Sequence, residues 1–244
     1  MKLLLLAGTQ EARKIAVALS REGFLNLTVS LPQPERQPQS YGWPLRIGGW
    51  GSEDAFRAYL KREGFDGVLD VTHPFAVGMS ERAARVSRAM GLAYVQFLRP
   101  AWIPDDGDRW TFLNDESEAE KHIPPNETVF LATGRRALDK LSGLSDRKVY
   151  CRIRDRADHS YPYPNGTYLL QPGPFTVMEE RRLFQRLGVT WLVTRNSGGQ
   201  GSWPKIEAAR ELGLPVAMVR RPRQPEGSKI STVAEALAWV RRRL

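Results

Sequence analysis

The sequence contains little cysteine and no long apolar run. Its 244 residues include a single cysteine, Cys151, which excludes an internal disulfide and favours a protein of the reducing cytoplasm. The apolar run from Leu3 to Leu6 is far shorter than the roughly 20 residues that span a bilayer. It also lacks the longer hydrophobic region and the cleavage site of a signal peptide. We therefore expect a cytoplasmic protein without a membrane segment.

Histidine is scarce as well. His73, His122 and His159 stand far apart, and none lies at ligand-like spacing from Cys151 or from a carboxylate. Because a protein metal site needs several such ligands together, the sequence predicts none.

The first turn is poor in glycine for a nucleotide-binding loop. In MKLLLLAGTQEAR (1–13), a buried strand is followed by a helix, and the turn between them has one glycine, Gly8, where the dinucleotide fingerprint has three. Thr9 as a helix cap and Glu11 as an acid in the first helical turn need no ligand to explain them. Two interpretations stay open at this point: a capped turn, or a turn that holds phosphate.

Acidic residues are outnumbered by basic ones. Thirty-six lysines and arginines against 27 acids give a net charge of +9, which favours an anionic partner. The basic residues are scattered, and no basic arm or aromatic RNA-binding motif accompanies them. A membrane surface and an acidic small molecule therefore stay open as the anionic partner, and nucleic acid is disfavoured.

What the sequence does contain is a regular alternation of strand-like and helix-like segments, typical of parallel sheets covered by helices. Strands are predicted at 2–7, 27–30, 45–47, 67–71, 93–96, 128–132, 148–154, 190–194 and 215–219. Helices are predicted at 10–22, 53–63, 75–90, 115–122, 134–142, 177–187, 204–213 and 233–243. The stretch 98–110, rich in proline and aspartate, interrupts the pattern, so we predict two domains, 1–104 and 105–244.

Ligands of open parallel sheets bind beyond the carboxyl ends of the strands, where helix N-termini attract anions. Four turns at such places carry small, hydroxyl or glycine residues: AGTQEAR (7–13), DVTHPFA (70–76), LATGRRAL (131–138) and TRNSGGQGSWPK (194–205). In the second turn, His73 is either a functional group or a filler beside a capping Thr72. The fourth turn predicts an anion-binding nest, in which Gly198 or Gly199 takes a positive φ.

Three arginines alternate in CRIRDR (151–156). Arg152, Arg154 and Arg156 therefore share one face of a predicted strand. They form either a solvated edge-strand face or a ladder of guanidinium groups that binds carboxylates. The sequence leaves both open.

Four stretches together resemble the precorrin-6A reductases of cobalamin biosynthesis over essentially the whole chain. They are LLLAGTQEAR near the start, DVTHPFA, ATGRR (132–136) and TRNSGGQGSWPKIEAARELGLPVAMVRRP (194–222). The resemblance implies an α/β fold of two Rossmann-like domains, with parallel sheets flanked by helices and a ligand cleft between the domains. A single-glycine turn suffices in such a protein if the nucleotide lies across both domains. The implied reaction reduces one carbon–carbon double bond of precorrin-6A with NADPH and yields precorrin-6B, and we expect a monomer.

The turns, the strand patterns and the resemblance together give the residues that we expect to contact the ligands. For the cofactor they are Gly8, Thr9, Glu11, Ala12, Ser30, Arg36, Thr133, Gly134, Arg135, Asn196, Ser197, Gly198 and Gly199. For the polycarboxylate tetrapyrrole substrate they are Thr72, His73, Arg152, Arg154, Gly201, Ser202 and Lys205. His73 is also the candidate proton donor, although water or tautomerism of the macrocycle could supply that proton.

The choice of nucleotide is predicted from the end of the second strand. In VSLPQPERQ, Ser30 stands where NAD-selective folds have an acid, and Arg36 follows nearby, which favours the 2′-phosphate of NADPH. The alternatives are a cobalt-precorrin-6A reductase that uses NADH and a non-catalytic nucleotide- or tetrapyrrole-binding protein. Steady nucleotide oxidation on adding the macrocycle distinguishes an enzyme from a binding protein.

Overall fold

The computed structural model describes residues 1–24, 26–34, 41–154, 156–157 and 159–243. The chain forms two compact units, one from Met1–Pro100 together with Pro222–Leu244 and the other from Ala101–Arg221. Each unit contains a six-stranded parallel sheet. The predicted class, α/β with two Rossmann-like domains, is confirmed.

The strands and helices alternate along the chain, with short 3₁₀ segments between some of them. The strands are β1 (Leu3–Leu6), β2 (Leu27–Leu31), β3 (Leu45–Ile47), β4 (Gly67–Asp70), β5 (Ala93–Phe97), β6 (Arg109–Leu113), β7 (Thr128–Leu131), β8 (Lys148–Ile153), β9 (Gly166–Leu170), β10 (Trp191–Arg195), β11 (Pro215–Val219) and β12 (Lys229–Ile230). The helices are α1 (Gln10–Arg21), α2 (Glu53–Glu63), α3 (Val77–Ala89), α4 (Ala119–His122), α5 (Val177–Leu187), α6 (Pro204–Glu211) and α7 (Val233–Arg241). The 3₁₀ segments are Glu116–Glu118, Arg135–Leu144 and Gln200–Ser202.

The sheet of the first unit has the strand order of a dinucleotide-binding fold. Read from β3, the order is β3-β2-β1-β4-β5-β12, so the chain leaves β1 towards one edge and returns to β4 on its other side. β1 is buried along its whole length because it lies at the centre of the sheet. The carboxyl ends of β1 and β4 therefore form the switch point at which such sheets bind ligands.

Helix α1 covers the first sheet and shows why the sequence folds this way locally. Its buried residues recur at helical spacing and pack with the strands, and they are Ala12, Ile15, Ala16 and Leu19. The Thr9 hydroxyl caps its N-terminus by accepting a hydrogen bond from the Ala12 N–H at 3.2 Å. The cap fixes the point at which the backbone turns from strand into helix.

The sheet of the second unit repeats this topology with its own switch point. Its order is β9-β8-β7-β10-β11-β6, which places β7 and β10 side by side at the centre. Capping boxes, Thr176 with Glu179 and Thr232 with Glu235, begin α5 and α7. Pro204 lies in the first turn of α6, as predicted.

The sixth strand of each sheet comes from an unexpected part of the chain. β6 begins inside the predicted interruption 98–110 and pairs with β11, while β12 pairs with β5 of the first unit. The units therefore differ from the predicted domains 1–104 and 105–244, because residues 222–244 pack with the N-terminal unit. The reason is visible in the core, where Trp239 and Val240 of α7 are buried in the same cluster as Leu19 of α1.

Two expectations from composition can be compared with the described residues. No helix among them is both long and apolar enough to cross a membrane. Cys151 is a free, buried thiol, and burial raises its pKa to about 12. It is therefore poorly suited to act as a nucleophile.

Candidate functional site

The switch point of the first unit joins two of the four predicted turns. The Thr9 hydroxyl, after β1, donates a hydrogen bond to the carbonyl of Val71, after β4, at 2.8 Å. The turns 7–13 and 70–76 are thus held side by side at one edge of the sheet. This hydroxyl already donates to Val71 and accepts from Ala12 in the cap of α1. Cofactor binding at this turn would therefore use backbone N–H groups of the neighbouring residues.

The turn after β1 has the conformation that a close ligand approach requires. Gly8 has φ of 120°, a region that side-chain-bearing residues avoid. Ala12 is fully buried and its N–H serves the Thr9 cap, which leaves it no surface for a ligand. The predicted contact of Ala12 with the cofactor stays a prediction, and neither its side chain nor its N–H is available to make that contact.

Glu11 is held in an ion pair that the sequence analysis did not predict. Its carboxylate accepts a hydrogen bond from Arg99 at 2.7 Å, and the two side chains are 19% and 12% exposed. An acid at a helix N-terminus repels phosphate, and the Arg99 guanidinium compensates that charge. Burial lowers the pKa of Arg99, and the Glu11 carboxylate opposes that shift.

The turn after β4 is built on a fully buried carboxylate. Asp70 accepts hydrogen bonds from the Thr72 N–H at 3.0 Å, the Thr72 hydroxyl at 2.7 Å and the Tyr94 hydroxyl at 3.0 Å. Burial and the nearby Asp70 charge raise the pKa of Tyr94, so its hydroxyl stays a donor. Thr72 does not cap α3, whose N-cap is Ala76. The network instead fixes the backbone that carries His73.

His73 lies on this turn with a defined tautomer. Its Nδ1 accepts a hydrogen bond from the Phe75 N–H at 3.2 Å, and the two rings are 5.8 Å apart. A neutral imidazole that accepts at Nδ1 carries its proton on Nε2. In its neutral form, His73 therefore presents an Nε2 N–H donor at the carboxyl end of β4.

The end of β2 carries a hydroxyl and an unpredicted arginine. Ser30 is buried, and Nη1 of Arg46 on the adjacent β3 lies 3.5 Å from its Oγ. Among the described residues, no carboxylate forms a hydrogen bond with Ser30. The predicted contact of Arg36 lies outside the described residues.

In the second unit, the turn after β7 contains an unpaired buried hydroxyl. Thr133 is 8% exposed, and its Oγ1 has no hydrogen-bond partner among the described residues. Gly134 follows with φ of 75°, and Arg135 is exposed at the start of a 3₁₀ segment. Buried polar atoms rarely stay unpaired, so this hydroxyl suggests a polar group that the chain itself does not supply.

The predicted glycine nest lies beside this turn, since β10 pairs with β7. Gly198 has φ of 68°, which confirms that one of the two glycines takes a positive φ, whereas Gly199 has φ of −99°. Asn196 is buried, and its side-chain amide exchanges hydrogen bonds with the backbone of Trp102, at 2.8 and 2.9 Å. Ser197 is buried too, so both polar side chains at the start of this turn lie in the interior of the unit.

The interpretation of the three arginines of CRIRDR as a solvated edge-strand face is wrong. β8 lies between β7 and β9, so it is not an edge, and it ends at Ile153 before Arg154 and Arg156, both exposed. Arg152 forms a two-pronged ion pair with Glu180 of α5, at 2.6 and 2.7 Å. Its guanidinium also lies 4.1 Å from the centre of the Phe175 ring. Arg152 is therefore bound within the unit, and Arg154 and Arg156 are the arginines of this stretch with solvated side chains.

Lys205 follows the nest in the first turn of α6. It is 8% exposed, its Nζ donates to the Ser202 carbonyl at 2.7 Å, and it lies 5.6 Å from the Trp102 ring centre. Burial lowers its pKa to about 7, while the charge of Glu180 works in the opposite direction. Gly201 is exposed and Ser202 half-buried.

The structure thus groups the predicted residues within each unit. At the first switch point lie Gly8, Thr9, Glu11, Thr72 and His73, and at the second lie Thr133, Gly134, Ser197, Gly198 and Gly199. Sequence reasoning missed the residues that hold them, namely Asp70, Tyr94, Arg99, Glu180 and Arg46. No group of three or more histidine, cysteine, aspartate or glutamate side chains is arranged to bind a metal in the part that the structure describes.

Comparison with known proteins places these features in a family. The family model described as Precorrin-6x reductase CbiJ/CobK matches residues 2–241. A precorrin-6A reductase of Rhodococcus erythropolis is 36% identical over 98% of this chain and 97% of its own. A precorrin-6A reductase of Rhodobacter capsulatus is 35% identical over 98% and 95%. A solved structure of CobK precorrin-6A reductase has a TM-score of 0.94 and 34% identity, and the match covers 99% of this chain and 96% of that one.

The sheets and their switch points define a protein of the Rossmann-like α/β class. Within that class, the chain belongs to the precorrin-6x reductase family. It is accordingly an oxidoreductase of cobalamin biosynthesis, and the resemblance predicted from its four sequence stretches is confirmed.

Proposed function

We propose that this protein reduces one carbon–carbon double bond of precorrin-6A with NADPH and forms precorrin-6B. The observation that carries the proposal is the family match over residues 2–241, in a chain whose first sheet keeps a dinucleotide-type switch point. Nucleotide preference, product and site residues belong to the proposal.

The residues at the first switch point fit a nucleotide. Gly8 has a backbone conformation that favours glycine, and a Cβ there would come no nearer than 3.8 Å to Pro32, so the turn is not filled by the chain itself. The first turn of α1 directs N–H groups towards this edge, which suits pyrophosphate. In the second unit, the unpaired Thr133 hydroxyl is a further donor for a ligand. When bound, the reduced nicotinamide supplies the hydride.

The charge of the protein fits a polycarboxylate substrate. The net charge of +9 favours an anionic ligand, and Arg154 and Arg135 are exposed near the carboxyl ends of β8 and β7. Arg152 is not a free cation for the substrate carboxylates, because Glu180 already neutralises its charge. Its contribution to substrate binding would come from its position beside Phe175. In this proposal the glycine nest orients the substrate or the cofactor through backbone N–H groups.

His73 is the proposed proton donor to the carbon next to the reduced one. Asp70 and Tyr94 hold its turn, and the hydrogen bond from Phe75 leaves the proton on Nε2. Solvent or tautomerism of the macrocycle competes for this role. We therefore expect His73→Ala to lower turnover only about tenfold, since an obligatory general acid contributes about 10²- to 10⁴-fold.

The test is a turnover assay with the purified chain, precorrin-6A and NADPH. The absorbance of the macrocycle should shift while about one NADPH is oxidised for each macrocycle reduced. Parallel reactions contain NADH in place of NADPH, the cobalt-containing macrocycle in place of precorrin-6A, or the His73→Ala variant. By calorimetry, NADPH should bind at least tenfold tighter than NADH, a difference of about 1.4 kcal/mol.

Each arm can contradict part of the proposal. Nucleotide binding without oxidation would mean a binding protein rather than an enzyme. Turnover of only the cobalt-containing macrocycle, or equal affinity for NADH and NADPH, would replace the substrate or the cofactor. A loss of a hundredfold or more in His73→Ala, with unchanged nucleotide affinity, would make this histidine obligatory.

A further inference from the structure

Arg46 is fixed beside the end of β2 by contacts of four kinds. It pairs in register with Ser30 across the parallel β2–β3 ladder. Its Nη1 lies 2.6 Å from the Gly48 carbonyl and 3.5 Å from Ser30 Oγ, and its Nη2 lies 2.7 Å from the Gly49 carbonyl. The guanidinium stacks on Trp50, at 3.4 Å from the ring centre. Its position is therefore set by the fold.

The charge of Arg46 has no counter-ion among the described residues. Four other partly buried arginines each hold a carboxylate, namely Arg99 with Glu11, Arg152 with Glu180, Arg195 with Glu116 and Arg210 with Asp108. Arg46 contacts two carbonyls and a hydroxyl instead, which leaves two of its five N–H donors for another partner. A half-buried cation without an anion is unfavourable unless a ligand supplies one.

The loop after β3 leaves room for that ligand. A Cβ added at Gly48, Gly49 or Gly51 would meet nothing within 4 Å, so the space above this backbone is open. Trp50 is held from below by edge-on contacts with Phe56 and Tyr59, at 4.7 and 5.1 Å. The guanidinium thus lies on a rigid aromatic support and faces an open glycine loop.

The chemistry of the position identifies the anion. In sheets of this topology, the residue at the end of β2 contacts the ribose of a bound dinucleotide, and an acid there selects the 2′-hydroxyl. Here that residue is Ser30, and the nearest fixed charge is the Arg46 cation. Guanidinium groups bind phosphate through paired N–H donors and stack on planar rings.

We propose that Arg46, with Ser30 and the Trp50 platform, forms the subsite for the 2′-phosphate of the nucleotide and so selects NADPH over NADH. This inference rests on the proposed function, because it assigns the nucleotide of that same reaction. It differs from the sequence prediction, in which Arg36 supplies the cation.

The test compares ligands that differ only in the 2′-phosphate. Calorimetric titrations measure 2′,5′-ADP against 5′-AMP, and NADPH against NADH, on the full chain. The variants are Arg46→Gln, Arg46→Lys and Arg36→Ala. The control is Arg82→Gln, since Arg82 is also half-buried and donates to the Gly51 carbonyl of the same loop at 2.9 Å, but it lies on α3 rather than beside the end of β2. Thermal melting checks that each variant is folded.

Arg46→Gln should weaken 2′,5′-ADP and NADPH at least tenfold and leave 5′-AMP and NADH within twofold of wild type. Arg46→Lys should fall between, because it keeps the charge and loses the forked donors. Arg82→Gln should change neither ligand pair. An equal loss for both members of a pair would make Arg46 a structural brace and overturn the inference, as would loss of discrimination in Arg36→Ala but not in Arg46→Gln.

The two proposals can fail separately. A wild-type chain that binds 2′,5′-ADP no better than 5′-AMP has no 2′-phosphate subsite, which overturns this inference and the NADPH assignment together. A chain that discriminates through Arg46 but does not reduce the macrocycle supports this inference and contradicts the proposed reaction.

Discussion

Arg152 and Lys205 show how burial changes the meaning of a basic residue. Both were predicted to bind substrate carboxylates, and both are held inside the second unit, Arg152 by Glu180 and Lys205 by the Ser202 carbonyl. The paired guanidinium keeps its charge because the carboxylate compensates it. Lys205 has one neutral acceptor, so burial makes its charged form unfavourable and lowers its pKa.

Lys205 should make stability depend on pH. The unfolded chain keeps this lysine protonated up to about pH 10.4, whereas the folded chain releases the proton near a pKa of about 7. Between these values the unfolded state binds more protons, so the free energy of unfolding contributed by this group rises with pH. Lys205→Met removes the contribution, and its stability relative to wild type should fall by on the order of 2 kcal/mol from pH 7 to pH 9.

Denaturant unfolding of both proteins at several pH values measures this difference. Lys61→Met is the control, because Lys61 is exposed on α2 and its replacement should give a difference that does not vary with pH. A pH-independent difference for Lys205→Met would show that the lysine is charged in the folded protein over the whole range.

Individual site residues could be predicted from the sequence when they lie within one local pattern of strand, turn and helix. Gly8 and Gly198 follow strands and precede helical segments, and the structure gives both a positive φ. Tyr94 could not be found this way, because it meets Asp70 only through the pairing of β4 with β5, 24 residues apart. A single sequence contains no signal for such a pair. The same holds for Glu180, which meets Arg152 from a helix.

At the scale of elements, the glycine nest depends on one backbone conformation. Gly198 takes φ of 68°, and a residue with a Cβ resists this by about 1 kcal/mol or more. Gly198→Ala should therefore lower stability by about 1 kcal/mol, and Gly198→Asn by less, because asparagine tolerates this region. Gly213→Ala is the control, since Gly213 is exposed, takes φ of 63° after α6 and is not among the residues expected to contact a ligand.

Thermal melting measures the stability, and titration with NADPH and with the macrocycle measures binding. If the nest holds a ligand, both Gly198 variants should weaken one of the two ligands more than Gly213→Ala does. Variants that melt lower but bind like wild type would make the nest a structural turn.

Elements with strong periodicity were predicted closely, whereas three of the four edge strands were missed. α2 and α5 match their predicted ranges, 53–63 and 177–187, because each has an N-cap, an apolar face and a following glycine. β6, β9 and β12 were not predicted. β6 and β9 are edge strands with exposed positions, and β12 has two residues, so hydrophobic pattern alone identifies none of them. Their pairing partners are what make them strands.

At the scale of the whole molecule, two separate segments of the chain form the first unit. Residues 222–244 return to it, where β12 extends the sheet and α7 adds Ala236, Trp239 and Val240 to the core that contains α1. Arg241 at the end of α7 also pairs with Glu22 after α1, at 2.5 Å. The second unit is continuous and has its own core around Phe130 and Phe184. Each unit therefore has its own hydrophobic core, and we expect the two units to unfold separately.

Two matched core variants test that separation in the intact chain. Trp239 is 3% exposed in the first core and Phe184 is 1% exposed in the second, and replacing either with alanine should cost about 3–5 kcal/mol. Hydrogen exchange should then rise in α1 and β5 for Trp239→Ala and in β7 and β10 for Phe184→Ala, with the other unit unchanged. If either variant raised exchange to the same extent in both units, the two cores would unfold as one cooperative body. The selective pattern is expected because α7 contributes its buried side chains to the first core, although it follows the second unit in sequence.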